Sequence, residues 1–202
     1  MERLTIEVGS YEVNCSILSD AGQAWIVDPG SEGERIVGLL AKKGLVPAAI
    51  LLTHAHFDHI SGIPALQKAF PELPVYVHPG DVPMFGHPFN QMGGEYASIG
   101  VPANVRDVAD LPAALPGVQV LHTPGHTPGG VCYFFPADKL LLSGDTLFAG
   151  SVGRTDFPGG SMARMMDSLQ ALMKLPDDTL VIPGHGGHTT IGDEKRTNPY
   201  IV

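Results

Sequence analysis

The chain has 202 residues, of which 44% are hydrophobic and 16% charged, as expected for one folded domain with a substantial core. Its formal net charge of −9 argues against nucleic-acid binding, since no basic cluster is larger than two residues. No apolar run approaches the roughly 20 residues that a membrane-spanning helix needs. We therefore expect a single domain over residues 1–202 that acts on small molecules and binds neither nucleic acid nor a membrane.

The N-terminal residues and the cysteines indicate the compartment. Residues 1–8 alternate like a β-strand and lack the basic-then-apolar layout of a secretion signal. Cys15 and Cys132 are the two cysteines, and they lie too far apart in sequence to suggest a disulfide framework. A reducing cytoplasm is the expected location. The sequence indicates no particular oligomeric state.

The first half of the chain predicts a sheet with helices between its strands. Ser31 and Glu34 have the spacing of a capping box, and apolar residues then recur at helical spacing until Gly44, a typical helix end. A second helix is predicted over residues 61–70. The predicted strands cover residues 3–8, 13–19, 24–27, the buried run 48–52, and 74–78.

The second half resembles the first in plan, which predicts an α/β domain of two similar halves. Its strands are expected at residues 118–122, 131–135, 139–143 and 180–182. A helix beginning at Ser161 has one apolar face, which we interpret as core packing. That face consists of Met162, Met165, Met166, Leu169, Leu172 and Met173.

Between the two halves, residues 79–117 form a long segment broken by Gly, Pro and Asn. A segment of this kind in a folded domain is usually functional, which suggests a lid over a site. Its scattered apolar residues equally allow a satellite core. These residues are Met84, Phe85, Phe89 and Met92.

Three histidines and one aspartate lie within six residues, directly after the buried strand 48–52. Imidazole and carboxylate are ligands for zinc and iron, so a metal site is indicated. In an extended backbone the side chains of His54, His56 and Asp58 point the same way and can converge. His59 does not fit this alternation and requires either a bend in the backbone or a second metal.

Three further candidates stand in turns where predicted strands end. His126 lies in a loop rich in Gly and Pro, Asp145 follows the strand 139–143, and His185 follows the last strand. One catalytic zinc typically has three protein ligands, so seven groups suit two ions that share a bridging carboxylate. The candidate ligands are His54, His56, Asp58, His59, His126, Asp145 and His185.

In this order, the seven residues resemble the ligand pattern of the metallo-β-lactamase superfamily over nearly the whole chain. The resemblance implies a four-layered αββα sandwich with two divalent metal ions. Zinc is expected, with iron and manganese as alternatives. The resemblance further implies that one ion is held by His54, His56 and His126, the second by Asp58, His59 and His185, and that Asp145 bridges them.

Shorter motifs resemble the short, bacterial type of glyoxalase II, the hydroxyacylglutathione hydrolases. They are the runs 153–160, 183–186, 189–192 and 197–200. The resemblance implies a hydrolase that cleaves a thioester, S-lactoylglutathione or a similar hydroxyacyl-glutathione, with a metal-bridging hydroxide.

Several alternatives to this thioesterase remain open. The first part of the run 153–160 also resembles persulfide dioxygenases, which use a single iron. Another ester or lactone hydrolase of the superfamily is a further alternative, and a third, non-enzymatic one is a site that stores or senses metal. A β-lactamase is less expected, because those enzymes are exported.

Three charged residues receive provisional roles. Asp58 is expected to orient the hydroxide or accept its proton, in addition to binding metal. Arg154 is a candidate for binding a substrate carboxylate, because a guanidinium forks onto carboxylates, and the alternative is an ion pair with Asp156. Asp28 is interpreted as a residue that supports a ligand or forms a turn.

Overall fold

Two units make up the chain in the computed structural model, which describes residues 1–92, 94, 96 and 99–202. They are Met1–Val108 and Ala109–Val202. Each unit has its own sheet and its own hydrophobic core. Among the described residues, no helix is long and apolar enough to cross a membrane.

The first unit contains a six-stranded sheet in which the strands follow one another in chain order. Its first three strands pair antiparallel, and the remaining strands pair parallel. The strands are β1 (Glu2–Val8), β2 (Val13–Asp20), β3 (Gln23–Val27), β4 (Val46–Leu51), β5 (Val75–Val77) and β6 (Val105–Asp107). The helices are α1 (Gly33–Lys43), α2 (Phe57–Ile60) and α3 (Ile63–Ala69).

Helix α1 connects the parallel strands β3 and β4 and packs its apolar face into the core of the first unit. Ile36 and Leu40 are fully buried there. The helix ends as predicted at Gly44, whose left-handed backbone (φ 66°) lets its N–H reach the carbonyls of the last turn. The predicted capping box is wrong, because the N-cap residue is Glu32, with φ 53° and no side-chain cap.

The segment 79–117 contains more regular structure than predicted. It includes 3₁₀ turns at Pro79–Met84 and Pro88–Asn90, strand β6, and the short helix α4 (Leu111–Ala114) of the second unit. Met84 and Phe85 are buried in the core of the first unit, and Phe89 packs against it. For residues 79–90 the structure therefore supports a core. Residues 93, 95, 97 and 98 lie outside the described part, and a lid there stays a prediction.

The second unit contains a five-stranded sheet in the order β13-β12-β9-β8-β7 and a two-stranded hairpin. Strands β9 and β12 pair parallel, and helix α5 lies between them in sequence. The strands are β7 (Gln119–His122), β8 (Val131–Phe135), β9 (Leu140–Gly144), β10 (Leu147–Phe148), β11 (Ser151–Val152), β12 (Leu180–Pro183) and β13 (Thr189–Thr190). The longer helices are α5 (Met162–Leu172) and α6 (Ile191–Thr197).

Helix α5 buries most of the predicted apolar face but not all of it. Ser161 is its N-cap and accepts a hydrogen bond from the Arg164 backbone N–H. Met165, Leu169 and Leu172 are buried in the core of the second unit. Met162 is 45% exposed, so its assignment to the core face was wrong. It is the first residue of the helix, and the buried face begins only at Met165.

Two methionines on α5 provide a matched test of this packing. Met165→Ala should lower the free energy of unfolding by about 2–5 kcal/mol, because a fully buried side chain leaves a cavity. Met162→Ala should change it by less than about 0.5 kcal/mol, since that side chain is largely in solvent. Urea denaturation followed by circular dichroism measures both. Equal losses would contradict the observed helix face.

Candidate metal centre

The histidine-rich loop of the first unit follows the carboxyl end of β4. His54, His56 and His59 are buried, with ring centroids 4.8 Å apart for the first two and 4.1 Å apart for His54 and His59. Helix α2 begins at Phe57, so Asp58 and His59 lie on a helical turn. The expectation that Asp58 belongs to one extended run was therefore wrong. The bend that His59 required is the start of α2.

Asp28 binds Thr53, the first residue of this loop. It follows β3, whose parallel partner β4 leads into the loop, so the two strand ends meet. The Asp28 carboxylate accepts hydrogen bonds from the Thr53 backbone N–H (2.8 Å) and the Thr53 hydroxyl (2.6 Å). Its Oδ2 also lies 3.0 Å from His59 Nδ1. These contacts match the supporting role predicted for Asp28.

The Thr53 hydroxyl determines which nitrogen of His54 carries the proton. Its single proton is donated to Asp28, so towards His54 Nδ1, 3.1 Å away, the hydroxyl acts as an acceptor. The proton of neutral His54 then lies on Nδ1, and Nε2 has the lone pair that a metal requires. Sequence reasoning missed Thr53, although its place directly before the first histidine was the available signal.

In the second unit, Asp145 lies between two histidines. Its Oδ2 is 3.5 Å from His126 Nε2 and 3.7 Å from His185 Nε2. Asp145 follows β9 and His185 follows β12, and the Gly184 N–H donates to the Gly144 carbonyl (2.8 Å) at the ends of these parallel strands. The topology thus brings the three predicted residues of this unit together.

The backbone of Arg154 supports His126. His126 Nδ1 lies 2.7 Å from the Arg154 carbonyl oxygen, which can only accept a hydrogen bond. The imidazole proton is therefore on Nδ1, and Nε2 faces Asp145 with its lone pair. A backbone contact leaves no signal in residue type, so the sequence predicted a role only for the side chain of Arg154.

Two glycines allow the backbone to press against the two candidate carboxylate ligands. A Cβ on Gly30 would lie 1.7 Å from the Asp58 carbonyl oxygen, and one on Gly153 would lie 1.8 Å from that of Asp145. Any other residue would have to displace these aspartates. Gly153 opens the run 153–160, so its place in that run has a steric reason.

The side chain of Arg154 forms the ion pair that was its alternative interpretation. Its Nε and one terminal nitrogen donate to the two oxygens of Asp156, each at 2.7 Å, and the guanidinium lies 3.8 Å from the centroid of the Phe157 ring. The hydrogen bond from Arg154 lowers the pKa of Asp156 to about 2. A substrate carboxylate would have to compete with Asp156 for this fork.

The C-terminal segment has a structural role in the second unit. Glu194 is buried and accepts hydrogen bonds from the Gly150 N–H (2.9 Å), the Thr189 hydroxyl (2.6 Å) and the Asn198 amide (2.7 Å). Asn198 also donates to the Ser151 carbonyl (3.0 Å). The segment thereby anchors the β10–β11 hairpin that leads into Gly153.

The donor chemistry of both clusters fits divalent metal ions. Neutral imidazole and carboxylate oxygen together suit zinc, iron and manganese. The first cluster offers three histidines, with Asp58 within 4.8 Å of His59, and the second offers His126 and His185 around Asp145. The supported tautomers of His54 and His126 match what a metal ligand needs.

The metallo-β-lactamase superfamily model matches residues 8–185, and the chain belongs to this superfamily. A relative from Haemophilus influenzae, named hydroxyacylglutathione hydrolase GloC, is 34% identical over 97% of this chain and 96% of its own length. Membership supports a metal-dependent hydrolase, as predicted.

Two solved structures are similar over almost their whole length. TTHA1623, solved in a di-iron-bound form, is 41% identical with a TM-score of 0.88, covering 98% of this chain and 99% of that one. BLEG-1, described as a B3 metallo-β-lactamase, is 33% identical with a TM-score of 0.86, covering 99% of both chains. The predicted α/β metallo-β-lactamase fold is confirmed.

The Arg154–Asp156 pair makes a prediction about pH. In Arg154→Ala, the pKa of Asp156 should rise from about 2 towards the ordinary value of about 3.9, because the charged form loses its hydrogen bonds. Since the folded-state pKa is lowered, any stability from the pair is present above the ordinary pKa and is lost as pH falls towards 2. NMR titration of the Asp156 carboxyl carbon measures this shift. The pKa of Asp193, lowered by Thr190 and Arg196, should not change and is the internal control.

The close approach of Gly153 makes a second prediction. Gly153→Ala should weaken the zinc affinity by about tenfold, because the added methyl displaces the Asp145 backbone. Gly187→Ala is the matched control, since a Cβ there meets nothing within 4 Å. Titration of zinc against a chromogenic chelator gives both affinities. Equal affinities would show that the backbone of Asp145 tolerates the methyl.

Proposed function

We propose that the two ligand clusters form one dinuclear metal centre. In this centre Asp145 is the bridging carboxylate, and the other ligands divide between two ions. The proposal is supported by superfamily membership, by the donor chemistry of each cluster, and by the similar TTHA1623 structure, which holds two irons. One ion is assigned to His54, His56 and His126, and the other to Asp58, His59 and His185.

The proposed activity is hydrolysis of a thioester, S-lactoylglutathione or a similar hydroxyacyl-glutathione. The observation that carries it is the full-length similarity to hydroxyacylglutathione hydrolase GloC, which covers both clusters. The proposed substrate is thus a small molecule. We assign zinc as the metal, with iron or manganese as alternatives that the same ligands accept.

The residues of the chain prepare this centre in defined ways. Two divalent ions, when bound, supply Lewis acidity that lowers the pKa of water towards neutrality and polarises a carbonyl oxygen. Asp28, through Thr53, keeps the proton of His54 on Nδ1, and the Arg154 carbonyl does the same for His126. The ligand nitrogens are thereby available without a rearrangement of protons. Asp58 is assigned to orient the attacking water or accept its proton.

A thioester also fits the absence of a dedicated general acid among the residues assigned to the site. The departing thiol has a pKa of roughly 8.5, so it leaves as a thiolate near neutral pH. An alkoxide or amine leaving group would need a proton donor placed beside it. The groups assigned here are metal ligands or residues that support them, which is sufficient for thiolate departure.

A persulfide dioxygenase is the second candidate. It is favoured by the run 153–157, which resembles that class, and iron chemistry is compatible with the same ligands. Such an enzyme would consume oxygen, whereas a thioesterase would not. The two candidates are therefore separable by product. Ester or lactone hydrolysis is a third outcome of the same measurement.

The decisive experiment combines metal analysis with parallel assays on one preparation. We expect close to two metal ions per chain, hydrolysis of S-lactoylglutathione, and no oxygen uptake with glutathione persulfide. Oxygen uptake without hydrolysis would replace the proposal with the dioxygenase. Hydrolysis confined to a lactone, an oxygen ester or a β-lactam would keep the metal centre and change the substrate.

The proposed role of Asp58 has its own test. Asp58→Ala should lower kcat by more than the loss of metal explains, because a general base typically contributes about 10²–10⁴-fold. Metal content and turnover are measured on the same samples at saturating zinc. Activity that falls in strict proportion to bound metal would limit Asp58 to metal binding.

Arg154 remains a candidate for contacting a substrate carboxylate, and its pairing with Asp156 refines the test. If the guanidinium binds substrate, Arg154→Ala should raise KM, and Asp156→Asn should lower KM by releasing the fork. Unchanged KM and kcat in both variants would leave Arg154 with a structural role. The backbone carbonyl that supports His126 is retained in either variant.

A further inference from the structure

In the histidine-rich loop, the candidate ligands alternate with residues that are not ligands. His54, His56 and Asp58 are the candidate ligands, and Thr53, Ala55 and Phe57 each directly precede one of them. Residues 52–56 belong to no helix or strand, and the loop is buried. Its N–H groups therefore need acceptors from outside regular structure. Each intervening residue receives such an acceptor from a side chain.

Asp81 supplies the second of these acceptors, after Asp28 at Thr53. It lies in the 3₁₀ turn Pro79–Met84, is fully buried, and accepts a hydrogen bond from the Ala55 N–H (3.0 Å) through Oδ2. Ala55 stands between two candidate ligands, so its position constrains both His54 and His56.

Asn90 supplies the third acceptor and a donor as well. Its Oδ1 accepts from the Phe57 N–H (3.1 Å), and its Nδ2 donates to the Ala55 carbonyl (2.8 Å) and the Met84 carbonyl (2.8 Å). The side chain is 1% exposed. A reversed amide would place NH₂ against an N–H and oxygen against two carbonyls, so these contacts determine its orientation.

We propose that Asp81 and Asn90 are positioning residues of the metal centre. By binding the backbone of Ala55 and Phe57, they hold the loop so that His54, His56 and Asp58 are presented together before any ion arrives. This inference rests on the proposed metal centre and adds two residues outside its ligand set. Part of the 79–117 segment is thereby a support for the ligand loop, a role that neither a lid nor a satellite core describes.

The geometry explains why both residues act on metal affinity. An ion can bind only when the three histidines and the carboxylate are presented together. A loop with a fixed backbone keeps them in that arrangement, whereas a loop without acceptors at Ala55 and Phe57 can rearrange. In the wild-type chain the loop is ordered when the protein folds, so metal binding does not have to order it. The site is in this sense preorganised.

The test measures zinc binding directly and does not depend on the substrate. Asn90→Asp keeps the acceptor for Phe57 but turns a carboxylate oxygen towards two carbonyls, and Asp81→Ala removes the acceptor of Ala55. Both should weaken zinc binding by about 10–100-fold in chelator competition, as is usual for groups that support ligands. Asp81→Asn retains an acceptor oxygen and should recover part of the loss.

Gln91→Ala is the matched control. Gln91 neighbours Asn90 in sequence, is exposed, and donates to the Gly86 carbonyl (3.4 Å), away from the ligand loop. Its zinc affinity should remain within about twofold of the wild type. The cobalt-substituted proteins provide a second readout, because the visible absorption of Co²⁺ reports ligand geometry. The spectrum should change in Asn90→Asp and not in Gln91→Ala.

The outcomes separate this inference from the metal centre itself. Folded Asp81→Ala and Asn90→Asp proteins with wild-type zinc affinity and cobalt spectra would overturn the positioning role and leave the metal centre intact. A wild-type chain that binds no zinc would remove the metal centre and the positioning role together. A further measurement needs no variant: in the metal-free wild type, the amides of Ala55 and Phe57 should exchange slowly with solvent. Fast exchange of both would contradict the proposal.

Discussion

The histidine-rich loop depends on the hydrogen bonds that the buried Asp28 carboxylate accepts. Asp28 stands at the end of β3, beside the end of β4, and binds both the backbone and the hydroxyl of Thr53. A buried carboxylate is costly unless it is hydrogen-bonded, and here its partner is Thr53, which begins the histidine-rich loop. The same contacts direct the proton of His54 and lie against His59, so one side chain connects sheet geometry with imidazole chemistry.

The two units support their candidate ligands in different ways. In each, candidate ligands follow the carboxyl ends of parallel strands, and a glycine allows close approach to an aspartate. The first unit supports its histidines through side chains, above all Asp28. The second supports His126 through the backbone carbonyl of Arg154. A carbonyl is preserved by any substitution, so the second support depends on loop position and not on residue type.

The candidate metal ligands and the candidate substrate contact, Arg154, differ in their surroundings. The candidate ligands and the groups that support them belong to the ends of sheet strands and to buried turns, where packing restricts change. Arg154, the candidate substrate contact, is exposed and already paired with Asp156. Relatives that share the superfamily fold carry names as different as hydroxyacylglutathione hydrolase and B3 metallo-β-lactamase.

The sequence by itself determined the fold class and the strands that end in candidate ligands, because alternation, turn residues and histidine spacing are local signals. It did not reveal that α2 starts at Phe57 or that Met162 is exposed, since both depend on where a helix meets the sheet. Only the tertiary structure revealed Thr53, Asp81 and Asn90 as supports. The Thr53 hydroxyl joins side chains that meet only when two strand ends are brought together. Asp81 and Asn90 bind backbone groups, and a backbone group has no identity in the sequence.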